Sequence, residues 1–178
     1  MAIKILIGGS PCTKWSIAQT KDRETTSSGE GWELFKNFVI AKEKFKPDFF
    51  LYENVKSMSN AIKEEITKQL GVEPYLINSA LVSAQNRERY YWTNIENVPQ
   101  SEDRGILLKD ILEYGIPFRK DKSHCIDANY FKGGNLAKLN SQSGTRICVA
   151  EPVCVGQRGR YADTGNRHTK TNAPTEQF

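Results

Sequence analysis

Two short, largely apolar runs, each stopped by a polar or glycine turn and separated by one amphipathic stretch, constrain this chain more than any other feature. The first, Ile3-Lys4-Ile5-Leu6-Ile7, ends in Gly8-Gly9-Ser10-Pro11; the second, Phe49-Phe50-Leu51-Tyr52, ends in Glu53-Asn54. Between them Trp32, Phe35, Phe38, Val39 and Phe45 recur at near-helical spacing, which predicts a helix over residues 31–46 closed by Pro47. A strand, a crossover helix and a second strand make a parallel pair, buried where both faces are covered. The expected fold is therefore α/β, a mostly parallel open sheet in which these two strands are neighbours. Cys12 and Glu53 then sit just past adjacent strand ends, where open α/β sheets bind ligands.

Further along, Met58, Ile62, Ile66 and Leu70 repeat every four residues after Ser57 and Ser59, with Gly71 in the stop position. That predicts a capped helix. Residues 75–82 and 89–94 read as two strands joined through Gln85-Asn86-Arg87-Glu88 in a hairpin, and residues 106–114 as a short helix before Gly115 and Pro117. Residues 21–31 are polar, carry Thr25-Thr26-Ser27-Ser28-Gly29, and lack apolar periodicity, so a mobile loop is expected there. After Phe118 the texture changes to Gly133-Gly134, Ser141, Ser143, Gly144 and many Asn and Thr, leaving residues 146–155 as the one clear strand candidate. A boundary near Phe118 divides residues 1–118, an α/β part, from a loop-rich part at 119–178.

Composition narrows the class without naming a partner. At 178 residues and 38% hydrophobic the chain is long enough to bury a core without disulfide or metal support. No apolar run approaches the ~20 residues of a bilayer span, and the opening stretch is too short for a signal peptide. A soluble, cytoplasmic protein is expected. The net charge of +4 permits contact with a polyanion and does not demand it. Cys12, Cys125, Cys148 and Cys154 show no C-x2-C spacing, so neither a zinc motif nor a disulfide framework is expected. His124 and Cys125 are adjacent, but nothing nearby completes a metal set.

The residues that can carry chemistry each admit a plain reading as well. Cys12, after Gly9-Ser10-Pro11, is either a space-filling thiol at a strand end or an exposed nucleophile whose pKa the turn amides lower. Glu53 is either a polar residue leaving the core or a carboxyl held protonated by desolvation, able to donate a hydrogen bond. Gln85, Arg87 and Arg89 have period two, so in an extended strand they share a face beside Tyr90-Tyr91-Trp92. That face is either solvated or suited to a phosphate or a nucleobase edge.

Taken in order, Pro11-Cys12, Glu53-Asn54-Val55 and Gln85-Asn86-Arg87-Glu88-Arg89 resemble the Pro-Cys, Glu-Asn-Val and Gln-x-Arg-x-Arg motifs of the DNA cytosine-5 methyltransferases. The surroundings, Gly8-Gly9-Ser10-Pro11-Cys12-Thr13-Lys14-Trp15-Ser16 and Leu51-Tyr52-Glu53-Asn54, look like the phage and bacterial branch, that of restriction-modification systems. The resemblance implies transfer of a methyl group from S-adenosylmethionine to carbon 5 of cytosine in double-stranded DNA. Cys12 would attack carbon 6 of a flipped cytosine. Glu53 would contact the ring nitrogen and exocyclic amine, and Arg89, with Arg87, would hold the carbonyl oxygen. Pro11, Asn54 and Gln85 would support substrate binding, Asn54 by bracing the Pro11-Cys12 turn, and the loop over residues 21–31 would close on the flipped base.

The same resemblance implies a partial methyltransferase sheet, the second half of a Rossmann-like domain, followed by the start of a target-recognition region. Gly156-Gln157-Arg158-Gly159-Arg160-Tyr161 falls where the family carries a basic, glycine-containing segment. Family members place a Phe-x-Gly-x-Gly turn and an acidic residue, which bind the cofactor, before the Pro-Cys strand. Only residues 1–6 stand there in this chain. Three expectations follow: a truncated or split enzyme needing a second polypeptide that bears the cofactor half, an inactive DNA-binding remnant, or an interaction domain with no DNA role. The split enzyme belongs in the cytoplasm of a bacterium or a phage-infected host.

Overall fold

Backbone pairing of the two apolar runs organises the computed structural model, which describes residues 2–19, 21–117, 120–125 and 149–150. Strand β1 (Ile5–Gly8) lies parallel to β2 (Phe49–Val55), with Ile5 opposite Phe49 and Gly8 opposite Tyr52. The crossover is helix α1 (Glu30–Phe45), which ends where Lys46 takes a left-handed conformation just before Pro47. Helix α2 (Asn60–Leu70) starts at Ser59, whose side chain accepts from the Ile62 amide, and stops at Gly71 with φ 74°. A serine N-cap and a left-handed glycine C-cap satisfy the backbone groups that a helix leaves open at its ends.

The sheet order is β1-β2-β4-β3, with β3 (Pro74–Asn78) on the outside and β4 (Glu88–Thr93) between it and β2. Both ladders of β4 are antiparallel. Strands β1, β2 and β3 thus run the same way and β4 runs against them, so only the β1–β2 ladder is parallel. The hairpin is present but wider than the sequence suggests. Strand β3 stops at Asn78 because its side-chain oxygen accepts from the Ala80 and Arg87 amides, turning residues 79–81 into a single 3-10 turn. The expected helix over residues 106–114 is reduced to one 3-10 turn at Leu108–Asp110, where the Asp110 carboxylate accepts from the Leu107 amide and competes with helix propagation. Beyond it, β5 (Ile116–Pro117) pairs with β6 (Val149–Ala150), a short part of the strand expected at residues 146–155. The proposed boundary residue Phe118, Cys148, Cys154 and the basic segment at residues 156–161 lie outside the described residues.

Both helices cover one face of the sheet. Phe35 and Phe38 of α1 meet Tyr52 at ring distances of 5.2 and 4.9 Å, and Trp92 of β4 donates to Thr67 of α2. Ile62 and Ile66 are fully buried in this layer, each contributing about 1.5–3 kcal/mol of apolar transfer. Alternation sends Ile5, Ile7, Leu51, Glu53, Arg89 and Tyr91 to the opposite face. Ile5 and Ile7 are 57% and 71% exposed there, on the edge strand β1, where the sequence led one to expect burial. Among the described residues no helix is long and apolar enough to cross a membrane.

Candidate functional site

The turn that carries Cys12 is fixed by partly buried hydrogen bonds to β2. Asn54, 1% exposed, donates through Nδ2 to the Ser10 carbonyl and to Ser10 Oγ, each at 3.2 Å, and to Tyr52 Oη at 3.0 Å. The Tyr52 and Ser10 hydroxyls lie 2.6 Å apart. Gly9 packs on the β2 backbone so closely that a Cβ there would stand 2.8 Å from the Glu53 carbonyl oxygen. Any larger residue would lift the turn off the sheet. Burial pushes the Tyr52 hydroxyl above its ordinary pKa, against the opposing pull of its hydrogen bonds to Ser10 and Asn54. The Cys12 thiol is free and half-buried, packed beside the core.

Glu53 lies on the other face of β2, in ladder register with Tyr91 and one diagonal step from Arg89. Arg89 Nε sits 2.9 Å from Glu53 Oε1, with the side chains 14% and 36% exposed respectively. β4 lies beside β2 and brings a guanidinium to this carboxyl. This pair, together with Gly9 above Glu53, makes one cluster at the common end of β1 and β2.

Gln85 and Arg87 do not share the strand period of Arg89, because β4 begins only at Glu88. Gln85 forms an isolated bridge with Ser123, and its side chain donates to the His124 carbonyl. Arg87 is exposed, with Nη1 3.8 Å from Cys125 Sγ. Both face the 120–125 segment. His124 Nε2 lies 2.7 Å from Lys120 Nζ, and burial, then that cation, holds the imidazole below its ordinary pKa. Among the described residues no group of three or more His, Cys, Asp or Glu could hold a metal ion.

Sequence reasoning overlooked Ser10 and Tyr52, whose hydroxyls complete the Asn54 network, because a Tyr in an apolar run reads as packing. It also overlooked Arg23 and Glu24 in the loop expected to be mobile. Arg23 Nη2 donates to the Ser57 carbonyl at 2.6 Å, and the Glu24 carboxylate accepts from Trp15 Nε1 at 3.1 Å. That part of the loop is fastened, while residues 25–30 are exposed.

An orphan methyltransferase of Bacillus phage SPR is 32% identical over 124 residues, covering 62% of this chain and 28% of that protein. A type II methyltransferase of Neisseria gonorrhoeae, M.NgoFVII, is 28% identical over 65% of this chain and 29% of its own length. The chain thus spans under a third of the length of these relatives. A prophage-encoded E. coli protein described as a DNA modification methyltransferase overlaps 78% of this chain and 44% of its own at a TM-score of 0.38 and 20% identity. The family model of the C-5 cytosine-specific DNA methylases matches residues 1–139. Since that match takes in both strand ends and the hairpin, the chain belongs to the C-5 cytosine-specific DNA methylase family.

Proposed function

We propose that this chain is the catalytic piece of a DNA cytosine-5 methyltransferase, acting on double-stranded DNA with a cofactor-bearing partner polypeptide. The observation that carries the reading is the convergence of the Cys12 turn and the Glu53–Arg89 pair at one end of adjacent strands. In this reading the Cys12 thiolate adds to carbon 6 of a flipped cytosine, and the displaced electron pair makes carbon 5 nucleophilic. Glu53 meets the ring nitrogen and exocyclic amine. Glu53, once it has taken up a proton, donates to the ring nitrogen while Arg89, already hydrogen-bonded to Glu53, donates to the carbonyl oxygen, and together they drain the charge that addition pushes into the ring. Arg87 and Gln85, which face the 120–125 segment, are assigned to DNA contact and to support of the second, target-recognition part at residues 119–178; residues 1–118 form the catalytic part. Pro11 and Asn54 keep the thiol in place.

In this reading the turn after β1 holds no part of the S-adenosylmethionine site. It is closed onto β2 at Gly9, and the acidic group at this end, Glu53, is held by Arg89. The methyl donor is therefore assigned to the partner polypeptide. Among the described residues β1 has no strand on its outer side, and such edges invite another strand, which supports that assignment. The cytoplasm of a bacterium or phage-infected host is where this substrate and partner would meet.

The test is to mix the purified chain with S-adenosylmethionine and duplex DNA containing 5-fluorocytosine, with and without the products of neighbouring reading frames. A covalent adduct at Cys12 that needs the partner is the expected result. An adduct on another cysteine, or one that persists in Cys12→Ser, overturns it. No adduct with a demonstrably complete partner favours the alternative, an inactive DNA-binding remnant of the family.

A further inference from the structure

The segment after Cys12 carries a latch that the cytosine chemistry does not account for. The Cys12 carbonyl accepts from the Trp15 and Ser16 amides at 3.0 and 2.9 Å, so residues 12–16 move as one turn. Trp15 is fully buried and directs its indole N–H at Glu24 Oε2. The Glu24 carboxylate accepts a second donor, the Gly31 amide in the first turn of α1, at 3.2 and 3.1 Å to its two oxygens. The Glu24 amide donates back to the Lys14 carbonyl at 2.8 Å. One carboxylate therefore ties the Cys12 turn to the open N-terminal end of the helix that packs on β2, where negative charge is favoured.

The surrounding residues are shaped around that carboxylate. A Cβ at Gly29 would stand 2.6 Å from Glu24 Oε1, and one at Gly31 would stand 2.6 Å from Trp15 Nε1 and 2.7 Å from Glu24 Oε2. Gly29 also holds φ +89°, a conformation other residues rarely adopt. Arg23 fastens the same segment from the other side, donating to the Trp15 and Ser57 carbonyls at 3.3 and 2.6 Å.

We infer that Glu24 is a positioning residue for Cys12, its carboxylate locking the thiol-bearing turn to helix α1 through Trp15. Its bearing on turnover rests on the proposed role of Cys12, but the latch itself is read directly from the reactivity of the thiol. Both Trp15 Nε1 and the Gly31 amide are donors, so the site demands an acceptor-only group. Glu24→Gln keeps the shape and sets an amide N–H against one of those donors.

The experiment measures alkylation of the folded full chain by N-ethylmaleimide, site by site, by peptide mass spectrometry, with Cys125 as internal reference. Glu24→Gln should raise the Cys12 rate roughly fivefold or more, a factor that corresponds to about 1 kcal/mol, while Cys125 keeps its rate. Trp15→Phe, which removes only the indole donor from that bond, should raise it similarly. The double variant should add little further, because both changes open the same latch. A Cys12 rate within twofold of the wild type in Glu24→Gln, or full additivity in the double variant, overturns the inference. If Glu24→Gln unfolds and accelerates every thiol together, Trp15→Phe alone decides by the same threshold. A Glu24-sensitive Cys12 in a chain that never forms the fluorocytosine adduct would sink the catalytic reading and leave the latch standing.

Discussion

Arg89 Nε stands 2.9 Å from Glu53 Oε1 across the β2–β4 ladder, so the guanidinium of one strand and the carboxylate of the next form one hydrogen-bonded unit. The pair is held by ladder register rather than by side-chain reach, with Arg89 opposite Val55 and Tyr91 opposite Glu53. A planar guanidinium and a flexible ammonium are not equivalent in that register. On the proposed reading, Arg89→Lys in the chain supplied with its proposed partner should lower single-turnover methyl transfer about 100- to 1,000-fold, the usual cost of removing one oriented donor where charge would develop. Glu53→Gln should fall in the same range. The two together should cost less than the sum, and strict additivity in that cycle would separate them.

Arg87 is exposed on the link before β4, with Nη1 3.8 Å from Cys125 Sγ. Its expected contribution is a phosphate contact, so Arg87→Ala should weaken DNA binding about equally for all sequences and reduce the salt dependence of log K by about one. Cys12→Ser should leave both quantities unchanged. Fluorescence anisotropy over a salt series reads them, and a sequence-selective loss in Arg87→Ala would move that residue from backbone to base contact.

Asn54 Nδ2 donates to the Ser10 carbonyl, and Asn54 is buried. Asn54→Ala strands that carbonyl and part of the hydroxyl pair, so urea unfolding should show a loss of about 1–3 kcal/mol at unchanged m. Asn54→Asp should be worse. It substitutes an acceptor for a donor against an oxygen and buries a charge without a partner.

Tyr52 gives the fold a dependence on alkaline pH with a definite sign. Its folded pKa is raised above the ordinary 10.0, chiefly by burial, so the folded state retains the proton more tightly than the unfolded chain. The associated stability is complete below 10.0 and is lost as pH rises through the folded value. Tyr52→Phe should cost about 1 kcal/mol at neutral pH through the lost hydroxyl bonds and should flatten the alkaline decline. Chemical denaturation at stepped pH checks this, and an equally steep decline in the variant would assign it to other groups.

How much of this was legible in the sequence depended on whether one local pattern decided the outcome. Helix α2 could be read nearly residue by residue, because Ser59, the four-residue apolar repeat and Gly71 all speak to the same short span. The β1–β2 pairing was legible from the crossover helix, which leaves a parallel neighbour as the simple solution. What stayed hidden was non-local. The end of β3 at Asn78 is set by an amide nine residues away, and the pairing of Glu53 with Arg89 by which strand lies beside β2. The polar texture of residues 21–31 resembled a free loop because its fastening groups, Arg23 and Glu24, find their partners in Trp15, Ser57 and Gly31, which no periodicity connects to them. The positions of Cys12 after β1 and of Glu53 near the end of β2 could be read from the sequence; the Ser10, Tyr52 and Asn54 network that holds the Cys12 turn could not.

The position of β4 between β2 and β3 also sets an order of events during synthesis. When the ribosome has delivered residues up to Asn78, β2 has β1 on one side and nothing on the other, since β3 must stand one strand further out. That place is filled by residues 88–93, which pair with both neighbours. That same insertion delivers Arg89 to Glu53. A chain that lacks β4 therefore carries the carboxylate without the guanidinium, and the Glu53–Arg89 pair forms in the step that seals the sheet.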